Sequence, residues 1–388
     1  MSFLEQYSRQ VIDQSDIDAV VSCLRSDFLT QGPAVSQFES ALERRLNGAT
    51  CVAVSNGTAA LHLAFKALNI GTGDLVWTSP ITFVATANAA LYLGATVDFV
   101  DVDPRTWTID VDRLELELTE RRRAGGPLPK LLVVVHLAGV AHKLPEIRRV
   151  CDDFQIKIVE DAAHALGATY THEGETILVG ECRHSDACTF SFHPVKPITT
   201  GEGGMISFAE RSSAERAREI RSHGITRDAK RFTKKPGGPW HYEMYDLGYN
   251  YRMSDIQASL GISQLSKLGA LRDQRDQIVH QYRNSIPEQG FRWQNIPPES
   301  QSAHHLNIIL LDDNATRSRL VQQLRERGIG FNLHYMPVYL HPFYQSLGQN
   351  FMRCPVADDY YQRALTLPLH PFLDDEDMHS IRSVLSSI

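Results

Sequence analysis

Short runs of apolar and β-branched residues recur along the first half of the chain, and helical patterns separate several of them. This alternation constrains the fold more than any other feature. The runs are Cys51–Val54, Leu75–Trp77, Thr96–Val100, Leu131–Val135, Ile156–Val159, Thr189–Phe192 and Met205–Phe208. A strand wetted on one face alternates apolar with polar residues, whereas a continuous apolar run suits a strand covered on both faces. Between the runs, Thr58–Leu68 sets Leu61, Leu63, Phe65 and Leu68 largely on one side, and Pro145–Phe154 does the same with Ile147, Val150 and Phe154. The expectation is an α/β fold with a large, mostly parallel sheet under helices on both faces, right-handed connections, and ligands at the carboxyl ends of the strands. After about residue 250 the pattern changes. Ser254–Gln274 reads as one long helix, His305–Leu311 as a strand and Arg317–Arg327 as a helix ended by Gly328. Ala364–Leu367 reads as another strand and Asp374–Ser387 as a closing helix with an acidic start. These elements predict a large domain over residues 1–250 and a smaller C-terminal α/β domain over 251–388. The intervening Arg227–Trp240 is basic, contains Pro-Gly-Gly and reads as a loop.

With 43% hydrophobic residues in 388, the chain has ample material for such a core. Its net charge of −7 favours neither a nucleic acid nor an anionic membrane as partner. No apolar segment reaches the roughly 18 residues of a spanning helix, and the opening MSFLEQYSRQ does not read as a signal peptide, so a cytoplasmic location is expected. Six cysteines without a CxxC pair make no disulfide framework, and Cys182, His184 and Cys188 fit no common zinc spacing, so no metal is expected.

Four segments carry chemistry. In FSFHPVKPITTGEGG, Phe190–Gly204, Lys196 follows a strand in a turn between Pro194 and Pro197. A lone loop lysine is ordinarily a solvated surface group. At a strand's carboxyl edge it is also a candidate to bind the aldehyde of pyridoxal phosphate (PLP) as an imine and later to move the substrate proton. In IVEDAAHALGA, Ile158–Ala168, Asp161 ends a strand while Glu160 alternates to the other face. Asp161 suits either a helix N-cap or the partner of a protonated pyridine nitrogen. In VSNGTAALHLA, Val54–Ala64, a strand runs through Asn56 and Gly57 into a helix start, which is either a simple cap or a phosphate cup. In SPITFVATANAA, Ser79–Ala90, Phe83 suits either the core or the face of a pyridine ring. Each ordinary reading is sound alone; the four in one order, each at a strand end, point together to PLP.

The series SNGTAALHLA, TFVATANA, DVDPRTWTID, VHLAG, VEDAAHALGA, FSFHPVKPITTGEGG, LGYNYRMSDIQASLG and LTLPLHPF, running over nearly the whole chain, resembles the DegT/StrS sugar aminotransferases. The resemblance implies a fold-type I, aspartate aminotransferase-like architecture, PLP as cofactor, L-glutamate as amino donor and a homodimer with shared active sites. It implies Lys196 as the imine lysine, Asp161 as the acid on the pyridine nitrogen and His164 near the ring hydroxyl. It further implies Thr58, Ala59 and Ser191 at the phosphate, Phe83 on the ring, and Asn250 reaching the phosphate of the other subunit. The opening Tyr7–Glu39 and the stretch HYMPVYLHPFY are most similar to the pseudaminic-acid branch, which aminates C4 of a UDP-linked 4-keto-6-deoxy-N-acetylhexosamine. That likeness implies the product UDP-4-amino-4,6-dideoxy-N-acetyl-β-L-altrosamine, and sugar-nucleotide contacts from Tyr7, Phe28, Leu29, Thr30, His334, Tyr335, Met336 and Pro337. Val140 departs from the family, many of whose members are polar there; Lys196 does not, although relatives that replace it with histidine become dehydratases. The alternatives are amination of another nucleotide keto sugar or of C3, a different PLP reaction, and a non-catalytic PLP-fold regulator.

Overall fold

The structure, a computed structural model, describes residues 3–388. Its first nine strands are β1 (Thr50–Val54), β2 (Leu75–Thr78), β3 (Thr96–Phe99), β4 (Leu131–Val135), β5 (Lys157–Asp161), β6 (Thr169–His172), β7 (Glu175–Leu178), β8 (Ala187–Ser191) and β9 (Gly204–Phe208). Seven of them form one sheet in the order β1-β9-β8-β5-β4-β2-β3, while β6 and β7 pair in a small separate sheet. All seven apolar runs therefore lie in the large sheet. β9 runs antiparallel to both β1 and β8, and the other neighbours are parallel. The large, mainly parallel sheet is as the apolar runs predict.

Both faces are covered, so consecutive strand residues enter different cores. Leu131 and Val133 join one cluster, Leu132 and Val134 the other. Helices α1 (Gln14–Leu24), α2 (Pro33–Arg45), α3 (Gly57–Ala67), α4 (Ala85–Tyr92), α5 (Val111–Arg123), α6 (Leu144–Phe154) and α7 (Arg211–Arg221) surround the sheet. Helix α3 packs on β8 and β9, beside α4 and α7. Helices α2, α5 and α6 contribute Phe38, Leu42, Leu114, Leu118, Ile147 and Val150 to the opposite face. Complete burial of Phe65 on α3 contributes about 1.5–3 kcal/mol.

The predicted single helix over Ser254–Gln274 is instead two helices, α8 (Asp255–Ser266) and α9 (Leu268–Ser285), meeting at Lys267. Lys267 Nζ lies 2.9 Å from Asp13 Oδ1 and 2.5 Å from Asp16 Oδ2, so the junction is tied to the start of α1. Helix α8 packs on α1 and α2, beside the large sheet. Helix α9 leads into a third cluster with an antiparallel sheet of Phe291–Trp293, Asn307–Leu311 and Ala364–Leu367. Helices Asn314–Glu326 and Asp375–Leu385 cover that sheet. Gly328, at φ +66°, follows the first of them in the left-handed conformation common after a helix end. The basic segment Arg227–Trp240 is exposed almost throughout and folds back through the pairing of Ile225–Thr226 with Glu243–Met244. Glu243 holds it by accepting the Thr233 and Lys234 amides at 2.8 and 3.0 Å. Among the described residues no helix is long and apolar enough to cross a membrane.

Candidate active site

A cavity of about 1050 Å³ opens at the carboxyl ends of β1, β4, β5 and β8. Its floor is built from chain reversals. β1 ends at Val54, and Asn56 caps α3 by accepting the Ala59 amide at 2.8 Å. Among the described residues the Gly57 and Thr58 amides make no hydrogen bond within the chain, so they remain free for an anion at the helix start. Gly57 is required here, because a Cβ would stand 2.9 Å from Ser191 Cβ. The Thr58 and Ser191 side chains complete this cup.

Across from the cup, β5 delivers Asp161 to the cavity and sends Glu160 to the other face, where it bonds His136 at 2.7 Å and Ser185 at 2.5 Å. Asp161 Oδ2 accepts the Thr86 hydroxyl at 2.6 Å and Oδ1 the Ala163 amide at 3.2 Å. It thus serves the local turn and still faces the cavity, so the capping and cofactor readings are compatible. Thr86 is in turn 2.7 Å from Thr82 Oγ1. Phe83 does not pack in the core: it is 57% exposed and lines the cavity.

Lys196 also lines the cavity, half-buried, with its amine away from bulk solvent. Burial pushes its pKa down to about 8, against the opposing pull of Asp161. About a tenth of the amine is then neutral at pH 7, against less than about a thousandth for a solvated lysine. Cofactor-free protein should therefore show Lys196 acylation that rises with pH to a midpoint near 8, read by mass spectrometry of its peptide. A midpoint near 10.5 would mean a solvated amine.

Burial, together with the nearby Lys196 charge, holds His164 well below its ordinary pKa, so the ring is neutral. Its Nδ1 accepts the Ala138 amide at 3.3 Å. The proton is thereby assigned to Nε2, which donates to Tyr335 Oη at 3.1 Å. His334 is pushed down to about 3, chiefly by burial, and its Nδ1 lies 2.8 Å from Thr366 Oγ1.

Of the residues singled out from the sequence, Tyr7, Thr58, Ala59, Phe83, Asp161, His164, Ser191, Lys196, His334, Tyr335 and Met336 all line this cavity. Phe28, Leu29, Thr30, Pro337 and Asn250 do not line it within the single chain. Phe28 and Leu29 are exposed, Thr30 bridges to Ser254, and Asn250, also exposed, bridges to Ser222. Val140 is completely buried and lies off the wall. Sequence reasoning missed Thr86, whose signal was a pair of hydroxyls at i and i+4 after a strand, and also Tyr251 and Asn332.

This donor set fits pyridoxal phosphate. Free helix-start amides suit its phosphate, an exposed aromatic ring its face, a buried carboxylate its pyridine nitrogen, and a desolvated amine its aldehyde. Comparison with known proteins agrees. The profile of the DegT/DnrJ/EryC1/StrS aminotransferase family matches residues 10–386. A UDP-4-amino-4,6-dideoxy-N-acetyl-beta-L-altrosamine transaminase of Campylobacter jejuni is 36% identical over 386 residues, covering 98% of this chain and 96% of its own. The structure of Helicobacter pylori PseC, an aminotransferase involved in the biosynthesis of pseudoaminic acid, superposes with a TM-score of 0.87 at 30% identity over 99% of both chains. The sugar aminotransferase Spr1654 of Streptococcus pneumoniae, described as putative, superposes in a PLP form, with a TM-score of 0.86 at 29% identity over 98% of both chains. Its PMP form gives 0.87 at 30% identity over 98% of this chain and 99% of that one. The chain therefore belongs to the DegT/DnrJ/EryC1/StrS aminotransferase family and is a pyridoxal-phosphate-dependent sugar aminotransferase.

Proposed function

We propose that this enzyme takes the amino group of L-glutamate and places it on C4 of a UDP-linked 4-keto-6-deoxy-N-acetylhexosamine, giving UDP-4-amino-4,6-dideoxy-N-acetyl-β-L-altrosamine. The carrying observation is the pairing of Lys196 and Asp161 across one cavity, in a chain 36% identical to a transaminase named for that product. The proposal includes a homodimer in which Asn250 of the partner subunit reaches the phosphate. It also keeps Phe28, Leu29, Thr30 and Pro337 as sugar-nucleotide contacts beyond the single-chain cavity. The exposed cations Arg227, Lys230, Lys234 and Lys235, which lie outside the single-chain cavity, are offered to the diphosphate, the alternative being a solvated surface loop; Arg231 is paired with Glu219.

Bound pyridoxal phosphate supplies an aldehyde that condenses with amines and a ring that draws electrons from an adjacent C–H bond. Lys196 Nζ, neutral in appreciable share near pH 7, serves as nucleophile and then as the base that carries a proton from the donor's Cα. The same atom returns a proton when the sugar is the acceptor. Asp161 holds a proton on the pyridine nitrogen, and Thr86 fixes the carboxylate that does so. The Gly57 and Thr58 amides anchor the phosphate, and Phe83 limits the tilt of the ring, so the bond to be broken stays aligned. His164, held by Ala138 and Tyr335, presents a neutral ring beside them.

The test is a product assay. The enzyme is incubated with glutamate and a panel of UDP- and dTDP-linked keto sugars, and the aminated product is identified by NMR. A C4 amino group in the altro configuration is expected. Amination at C3, or of dTDP sugars alone, overturns the substrate assignment in favour of another nucleotide keto sugar.

A further inference from the structure

We infer that Arg275 is a positioning residue for Lys196, acting through the backbone carbonyl of Pro197. Arg275 lies on α9 and is 2% exposed. Among the described residues no carboxylate stands within ion-pair distance of it, and its Nε has no partner. Its Nη1 donates to Pro197 O at 3.5 Å, one residue beyond the reacting lysine.

The lysine turn is gripped at alternate residues from outside. Ser8 Oγ donates to Val195 O at 3.4 Å, Arg275 to Pro197 O, and Gln264 Oε1 accepts the Thr199 amide at 3.3 Å. Gln264 is itself anchored, donating to Asp16 Oδ2 at 2.8 Å and Val11 O at 2.9 Å. The turn also closes on itself, with the Lys196 amide donating to His193 O at 2.9 Å and the Thr200 amide to Phe192 O at 3.0 Å. The three outer grips are longer and add to these, and the charged donor is the strongest of the three in kind.

Burying a cation without a counter-charge is costly, and a methionine would fill the same space without that cost. The chemistry of the site supplies the reason for an arginine. The group to be held is a carbonyl, which only a donor can grip, and a donor there adds no second negative charge near Lys196 beside that of Asp161. A guanidinium fixes the turn through a neutral carbonyl and leaves the amine free to lose its proton. His164, His305 and His334, all within the influence of the Lys196 charge, are each held below the ordinary imidazole pKa, chiefly by burial.

The inference rests on Lys196 as the reacting amine, but its first readout does not. In cofactor-free Arg275→Met, backbone hydrogen exchange over residues 193–200 is expected to accelerate about tenfold, with β5 unchanged. In the holoenzyme, kcat should fall about tenfold while KM for both substrates stays within about threefold, since the lysine is misplaced and substrate contacts are not. Arg275→Lys, which keeps a charged donor, should recover most of kcat. If Arg275→Met does not fold, Arg275→Gln serves, because its amide stops short of the Nη1 position and should give the same accelerated exchange. Wild-type exchange at 193–200 in the folded variant, or an Arg275→Lys enzyme no better than Arg275→Met, overturns the inference. Altered exchange with unaltered catalysis in Arg275→Met would also overturn the positioning role, whereas the role of Lys196 itself falls only if Lys196→Ala keeps wild-type turnover.

Discussion

Replacing Lys196 with alanine is expected to abolish the visible absorbance of the lysine-linked cofactor and to lower turnover at least about 10⁴-fold. The loss is large because Lys196 is the one lysine on the described cavity wall, and the reaction asks one amine both to condense with the cofactor's aldehyde and to carry the proton. Of the four histidines on that wall, His164 Nδ1 accepts from Ala138 and His334 Nδ1 is paired with Thr366. The fold should survive. Among the described residues Lys196 Nζ makes no hydrogen bond, and its burial disfavours the charged form, so alanine removes a desolvated amine and leaves no partner unpaired. The melting temperatures of the two cofactor-free proteins should agree within a few degrees; cofactor-free forms are compared because bound cofactor adds stability by mass action. The measurements are an absorbance spectrum, a thermal melt and a product assay. Wild-type turnover in Lys196→Ala would remove the lysine from the mechanism. In the wild type, glutamate should convert the bound cofactor to its pyridoxamine form with an equal yield of 2-oxoglutarate. A lyase, a dehydratase or a non-catalytic regulator would fail that stoichiometry.

Much of this site was legible because its parts sit where strands stop. Leu131–Val135 was bounded to the residue, and the other six apolar runs fell within two residues of observed strands at either end. Period-two alternation alone separated Asp161 from Glu160, and each now faces a different environment. The reversed direction of β9 was not legible, since an apolar run reads the same whichever way the strand runs. The break at Lys267 was hidden for a related reason. No proline or cap marks it; the turn is held by Asp13 and Asp16, some 250 residues away in the chain, and periodicity carries no long-range ion pair. Thr86 and Arg275 escaped notice because their roles depend on partners, Asp161 and Pro197, distant in sequence. The resemblance to a family supplied residues such as His334 and Tyr335 that no local pattern would have singled out.

Replacing Asp161 with asparagine is the second large test, and its two readouts move for one reason. Asp161 is 7% exposed, with one oxygen on the Thr86 hydroxyl and the other on the Ala163 amide. Asparagine keeps the size; its oxygen can accept the Ala163 amide and its NH2 can donate to Thr86 Oγ1, whose own proton turns to Thr82, so the fold should be little disturbed, but the negative charge is lost. Without that charge no group in the wall holds a proton on the pyridine nitrogen, and the ring withdraws electrons less strongly. A fall in kcat of roughly 10³-fold is expected, comparable to losing one preorganised electrostatic partner of a transition state. The charge of Asp161 also favours the protonated form of Lys196, against the larger effect of burial. Removing it must therefore lower the amine's pKa further, and the acylation midpoint of the cofactor-free variant should fall below the value of about 8 expected for wild type. Asp161→Glu would keep the charge and displace it, so its midpoint should stay near that of wild type while kcat still falls. The two variants thus separate charge from position. An Asp161→Asn enzyme with undiminished kcat and an unmoved Lys196 midpoint would show that the carboxylate serves the β5 turn alone.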